Sequence, residues 1–328
     1  MLTAADGMTL SQYIGLVAEH PLDPQMHGQL AEMYAANTNW FAAIAEYRTA
    51  IALGNVEPQV WLSLAKAYIA IGMAELAIPI CQRLDTAAEG RARQEITNIL
   101  AKARTATPWP LSYLDHNRYY RIKTLADHLS HLFGEGGFSV LDVGGGDGAL
   151  ALFVPDAAYV LAEPAINGIS GTNLPFAQGY FDAILACHVL EHVSLTERSH
   201  FLEQLCSKAR KCVLLLNPFL EPNAHVRERI QLVFELTGAQ WAKEHLECGL
   251  PHLDQVRQFA ADHSYGCRVW PCGSLTASLA LEFVRHYATL AGRERELERI
   301  NHLYNTRYFE QLTAPQLPAA YLVEIDVN

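Results

Sequence analysis

The sequence predicts an α/β sheet domain preceded by an all-α repeat domain, and three observations carry that prediction. An apolar run from Phe138 to Leu141 ends in a cluster of glycines, Gly144, Gly145, Gly146 and Gly148, and resumes as the helix-forming segment Ala149–Phe153. Strand, glycine-rich turn and helix in that order bring backbone close to a nucleotide-like ligand. A continuous apolar run, Cys212-Val213-Leu214-Leu215-Leu216, reads as a strand buried on both faces, as parallel sheets require. In the front third, residues 24–57 align with 58–91 at a fixed period. With 328 residues, half of them hydrophobic, the chain can bury two cores.

The repeat is read first. Leu30-Ala31-x-x-Tyr34 recurs as Leu64-Ala65-x-x-Tyr68, and Ala43, Tyr47 and Ala50 recur as Ala77, Cys81 and Leu84, while His27 takes the place of Trp61. This pattern resembles the tetratricopeptide repeat, with Ala in place of the usual Gly at 31 and 65. Small residues at 31, 43, 65 and 77 let paired helices approach, and the large ones fill the stack. Thr9, Tyr13 and Leu16 keep the same phase, so a helix over 9–19 reads as the second half of an incomplete earlier repeat, and Arg91–Arg104 as a polar-faced capping helix. Seven basic against ten acidic residues over 1–105 leave no strong patch. The resemblance implies a concave surface for a peptide or protein partner; self-association or bracing of the following domain is the plainer reading. Thr105–Pro110, with Pro108 and Pro110, is the expected linker, which divides the chain into 1–105 and 106–328. A helix follows, from about Leu111 to Phe133.

Gly144-x-Gly146-x-x-Ala149 also satisfies the dinucleotide fingerprint, so the glycines alone are ambiguous. The carboxylates decide. A pyrophosphate wants N–H dipoles and no nearby anion, yet Asp142 precedes the glycines and Asp147 lies among them. A cationic ligand suits that turn better, and S-adenosylmethionine carries a sulfonium and an ammonium and no phosphate. Asp142, Gly144, Gly146 and Gly148 resemble the first motif of the class I S-adenosylmethionine-dependent methyltransferases. Tyr159–Glu163 reads as a short second strand ending in an acid, where a Rossmann-like fold grips ribose hydroxyls. Asn173-Leu174-Pro175-Phe176 followed by Phe181-Asp182 and Leu190-Glu191-His192-Val193 resembles the "LPF…FD…LEHV" signature of the same family.

That resemblance, specific over 138–193, implies a Rossmann-like sheet of seven strands and a cofactor site formed by Asp142, Gly144, Gly145, Gly146, Gly148, Glu163, Leu174 and Cys187. It also makes Tyr119 and Arg121, on the segment before the first strand, candidate contacts, the arginine for the methionine carboxylate. Plainer readings stand beside these. The turn could lack a ligand, Asp182 could be a strand-entry residue, Glu191 and His192 could cap a helix, and Tyr119 and Arg121 could lie on a solvated face.

The remaining elements follow in order: a helix over 195–210, the strand to Pro218, helices near 226–236 and 252–263, a strand over Cys267–Pro271, and a last strand over Tyr321–Val327, antiparallel in the resembled family. Between the last two strands, about 274–318 reads as a helical insertion able to carry substrate-specific structure. Only ten residues separate Glu163 from Asn173, so the helix expected there is truncated. The phrases Glu244–Pro251 and Leu303–Arg307 look similar to segments of bacterial methyltransferases associated with surface-glycan assembly.

Bulk properties exclude several classes. A net charge of −11 argues against a general nucleic-acid binder. No apolar run reaches the length of a membrane span, and no signal-peptide layout opens the sequence. Seven cysteines without a CxxC pair point to reduced thiols in a cytoplasmic protein. The histidines are scattered and no HExxH occurs, so no metal is expected. The expected chemistry is methyl transfer to an oxygen or nitrogen of a small-molecule or glycan acceptor, with His188 as first choice of general base and His192 and His245 as alternatives. Each could equally be a hydrogen-bonded structural histidine. Two rivals remain: a repeat-based interaction scaffold carrying a degenerate methyltransferase-like domain, and a nicotinamide oxidoreductase, which Asp142 disfavours.

Overall fold

The structure is a computed structural model that describes residues 7–86, 88–134, 136–220, 226–309 and 317–328. Helices α1 (Leu10–Glu19), α2 (Pro24–Ala36), α3 (Trp40–Ala52), α4 (Pro58–Ala70), α5 (Ala74–Asp85), α6 (Gly90–Thr105) and α7 (His116–Phe133) come first. Strands β1 (Ser139–Val143) and β2 (Ala158–Ala162), the one-turn α8 (Pro164–Asn167) and β3 (Phe181–Cys187) follow. The rest runs α9 (Arg198–Lys208), β4 (Ala209–Asn217), α10 (Val226–Thr237), α11 (Gln240–Cys248), α12 (Leu253–Asp262), β5 (Gly266–Cys272), α13 (Leu275–Leu290), α14 (Glu294–Arg307) and β6 (Ala320–Asp326). Local signals set many of these starts. Thr9 and Gln12 cap α1 reciprocally, Asp23 caps α2 ahead of Pro24, and Asp115 and Ser274 accept backbone N–H bonds at the heads of α7 and α13. Among the described residues no helix is long and apolar enough to cross a membrane.

The chain forms two compact units, Met1–Pro110 with Glu135–Phe176, and Leu111–Gly134 with Ala177–Asn328. In the first, α1 to α6 pack as successive neighbours. Ala31, Ala43, Ala65 and Ala77 are fully buried, at the positions where small residues permit close helix approach. β1 and β2 pair in parallel, Leu141 opposite Val160. Within this first unit the helices are bound to β2.

Helix α3 makes that attachment. The Thr49 hydroxyl accepts from the Leu161 N–H of β2 at 3.0 Å. Arg48, 6 % exposed, donates to the carbonyl of Ala151 and to those of Val154 at 2.8 Å and Ala157 at 2.6 Å. Glu46 is fully buried, and its Oε1 accepts from Asn167 Nδ2 at 2.8 Å while Oε2 meets His27 Nδ1 at 2.6 Å. This explains why the repeat departs from its pattern at position 27: the imidazole serves the buried carboxylate. Burial works to lower His27, but Glu46 outweighs it and the ring's pKa is raised.

Two expectations are corrected here. The helix expected over 149–153 is a single 3-10 turn, Ala149–Leu152. Pro155 ends it, and its carbonyls are satisfied by Arg48 instead of by a continuing helix. The described residues hold six strands, not seven. Between Glu163 and Phe181 the chain spends four residues on α8 and then runs as turns and loop, too few for a crossover helix and another strand. The outer edge of β2 is covered by α3 rather than by strand, which satisfies its N–H and blunts an otherwise exposed edge.

In the second unit the strand order is β3-β4-β6-β5, with β3 and β4 parallel and β6 antiparallel to both neighbours. Ile184, Leu185, Val213, Leu214, Leu215 and Val323 have no exposed surface, as a sheet covered on both faces demands. α13 and α14 fill the segment between β5 and β6.

Candidate active site

In the first unit the glycine turn has the backbone that the sequence implies. Gly144, Gly146 and Gly148 adopt φ of +69°, +58° and +78°, a left-handed region that only glycine enters freely. Gly145 has a different reason: a Cβ there would be built into the carboxylate of Asp142. A Cβ on Gly148 would strike the methyl of Ala45 on α3. The turn is therefore pressed between its own buried acid and the helical segment.

Asp142 is 2 % exposed, and the Tyr159 hydroxyl donates to its Oδ2 at 2.8 Å. Burial raises its pKa to about 7, against the lowering effect of that bond and with help from Glu163 and Asp147. Glu163 closes β2 with its carboxylate turned to the turn: Oε2 accepts from the Gly146 N–H at 3.1 Å, and Oε1 from the Ala165 N–H at 3.1 Å. Leu174 is buried in the same unit. Asp142, the glycines and Glu163 are thus brought together, and an N–H of the turn is directed at a carboxylate.

The second unit holds a cavity of about 510 Å³ lined by Arg121, Cys187, His188, His192 and His245 among others. Tyr119 is not in its wall; it stacks edge-on against Phe309, with ring centroids 5.8 Å apart. Helical spacing explains this. Asn117, Tyr120 and Arg121 share the cavity face of α7, and Tyr119 projects from the opposite one. Asp182 lies outside as well and pairs with Arg210 at 2.8 Å, a strand-entry role.

At the head of the cavity, His188 follows the last residue of β3 with φ +57°, a left-handed conformation for a side-chain-bearing residue, its N–H bonded to the Leu216 carbonyl at 2.8 Å. The 3-10 turn Leu190–His192 follows at once. Glu191 is fully buried beneath it, with Oε2 accepting from Asn217 Nδ2 of β4. Its Oε1 lies 3.2 Å from His188 Nδ1 and 3.7 Å from His245 Nε2. His192 sits 3.2 Å through Nδ1 from Glu244 Oε2, and its ring centroid is 5.2 Å from that of His245. Burial pushes His188 down to about 4, so it is neutral at pH 7. Burial also lowers His245. For Glu191 burial acts upward, but the imidazoles of His188 and His245 outweigh it and hold the carboxyl below its ordinary range.

All three histidines singled out from sequence therefore surround one buried carboxylate. In sequence Glu191 belongs either to the LEHV signature or to a helix cap, and nothing there marks Asn217 or Glu244 as its neighbours in the site. The LEHV phrase contained Glu191, but nothing in it showed that the side chain turns inward. The cavity wall also carries Arg118, Arg229 and Arg285 beside Arg121, against the acids Asp115 and Glu282. Arg285 is paired with Glu282, and Asp115 caps α7.

No family model matches this chain, and no curated protein matches it in sequence. Solved structures do resemble it. The magnesium protoporphyrin IX methyltransferase of Synechocystis PCC 6803 with bound S-adenosylhomocysteine is 12 % identical, covers 64 % of this chain and 84 % of its own, and has a TM-score of 0.39. The plantazolicin methyltransferase BpumL, also in complex with S-adenosylhomocysteine, is 12 % identical, covers 80 % of this chain and 98 % of its own, and has a TM-score of 0.40. The [4+2]-cyclase SpnF is 16 % identical, covers 62 % and 80 %, and also has a TM-score of 0.40. The solved structures similar to this chain thus include methyltransferases and a cyclase.

Proposed function

We propose that this chain is an S-adenosylmethionine-dependent methyltransferase acting on an oxygen or nitrogen of a small-molecule or glycan acceptor. The observation that carries the reading is the turn at 144–148: left-handed glycines backed by a buried Asp142 and faced by Glu163. The residues fit the adenosyl donor. A diphosphate would have to displace Glu163 from the Gly146 N–H and sit beside Asp142 and Asp147, whereas a cation is welcomed by the same acids. Asp142 and the glycines would hold the methionine portion and Glu163 the ribose. When bound, the donor supplies a methyl group on a positively charged sulfur.

The chain's own residues then have defined tasks. The cavity orients the acceptor, and its arginine excess suits one that bears an acidic group. His188 is neutral, and with Nδ1 directed at Glu191 its Nε2 is left to receive the acceptor's proton as the new bond to carbon forms. Alignment is the larger effect, since oriented reactants reach effective molarities of about 10⁵–10⁸ M. The 1–105 segment, read as tetratricopeptide-like, serves first as a brace for the sheet edge, and its remaining surface is offered to a protein partner.

Calorimetry on the full chain tests the reading. S-adenosylmethionine and S-adenosylhomocysteine are expected to bind with one-to-one stoichiometry, and NADH is not. Binding of NADH, or of none of the three, overturns it.

A further inference from the structure

We propose that Glu191, His192 and His245 form a binding site for one divalent transition-metal cation, open to the cavity of the second unit. One ligand atom from each residue lies within 4.8 Å of the others, close enough for a single ion to bridge them. Two imidazoles and a carboxylate are the donor set that suits zinc, cobalt or iron(II) and leaves positions free for an exogenous oxygen.

Three further observations point the same way. Glu191 Oε1 is buried with only imidazole nitrogens near it, His188 Nδ1 at 3.2 Å and His245 Nε2 at 3.7 Å, while its companion Oε2 is held by Asn217. A fully buried, anionic oxygen faced only by imidazoles is costly, and a cation held between them offsets that cost. Second, His192 engages Glu244 through Nδ1 at 3.2 Å, which fixes the ring and leaves Nε2 with the lone pair. A carboxylate behind a histidine is the arrangement that orients imidazole ligands on metals. Third, the ring centroids of His192 and His245 lie only 5.2 Å apart, so both imidazoles face the same small space. Sequence spacing could not reveal this set, because His245 comes from α11 and the other two from the turn after β3. The site stands independently of the adenosyl donor. Its ligand is the metal ion, and the open positions would take an oxygen of the acceptor.

The test uses the full chain, freed of metal with a chelator and titrated with Co²⁺ and with Zn²⁺. The expected result is one cobalt per chain, with visible absorption bands that zinc abolishes. Because Glu191 is buried and its replacement endangers folding, the variants are His192→Gln and His245→Gln, checked by circular dichroism. Each should weaken binding at least about tenfold, and Glu244→Gln by roughly ten- to a hundredfold. Cobalt binding that is absent, or as tight in both folded histidine variants as in the wild-type chain, overturns the site. Calorimetry with S-adenosylhomocysteine on the metal-free wild-type chain reports separately on the donor site.

Discussion

Arg48 offers the sharpest test of how the helical segment and β2 depend on each other. Its guanidinium bonds the carbonyls of Ala151, Val154 and Ala157, with a longer contact to Pro155 at 3.3 Å, and lies over the Tyr159 ring at 5.3 Å. Arg48→Met keeps most of the stem and removes the fork. Charge-assisted hydrogen bonds contribute about 1.5–3 kcal/mol each, so three amount to at least about 4.5 kcal/mol. Not burying the cation returns a part of that. The net loss expected is about 3 kcal/mol. Arg48→Lys keeps the charge but presents one point instead of a planar fork, and should lose roughly half as much. Urea unfolding of the full chain followed by circular dichroism gives the global change. Hydrogen exchange over residues 149–162 gives the local one, where protection should fall first. A loss under about 0.5 kcal/mol, the level of an ordinary surface change, would refute the reasoning. So would protection lost everywhere but in that segment.

Three further predictions concern the site. With its pKa raised to about 7, Asp142 is half neutral at pH 7, and a cationic donor binds the ionised form. Affinity should therefore rise with pH and level off above 8. The expected gain from pH 6 to pH 8 is about tenfold, or ~1.4 kcal/mol. Asp142→Asn should remove it, and subtracting the variant's calorimetric profile cancels the ligand's own ionisation; parallel profiles would dismiss Asp142. In the unliganded protein the same group stabilises in the opposite sense. The folded state holds the proton more tightly between the ordinary carboxyl range and pH 7, so Asp142's contribution declines as pH rises through that window. Gly145→Ala places a methyl against a carboxylate that Tyr159 holds in place, and should cut donor affinity at least about tenfold while melting of α1–α6 stays cooperative. Unchanged affinity would show that the acid can move. His188→Ala should slow turnover about 10²–10⁴-fold with donor affinity unchanged within a fewfold; a turnover like wild type would remove His188 from proton transfer.

Much of the architecture was legible because it is written in short-range spacing. The 34-residue period placed α2 to α5, and the shared phase of Thr9, Tyr13 and Leu16 placed α1, since those spacings repeat with the helical turn. The glycines were legible for the same reason: a left-handed backbone is a property of the residue that adopts it. The truncated connection after Glu163 also announced itself by length. His27 did not, because its departure from the repeat is explained only by Glu46, nineteen residues further on the chain.

The sequence by itself determined the strands, the repeat helices, the glycine turn and its attendant acids, all of which follow from alternation, period and local backbone freedom. Tertiary structure decided the rest. A helix rather than a seventh strand covers β2, and the helix expected after the glycines shrinks to one turn, because Arg48 and Thr49 satisfy groups more than a hundred residues away. The histidines at 188, 192 and 245 became one cluster only when Glu191 was buried between them. Burial and charge depend on what surrounds a side chain in space, and no spacing along the chain encodes that.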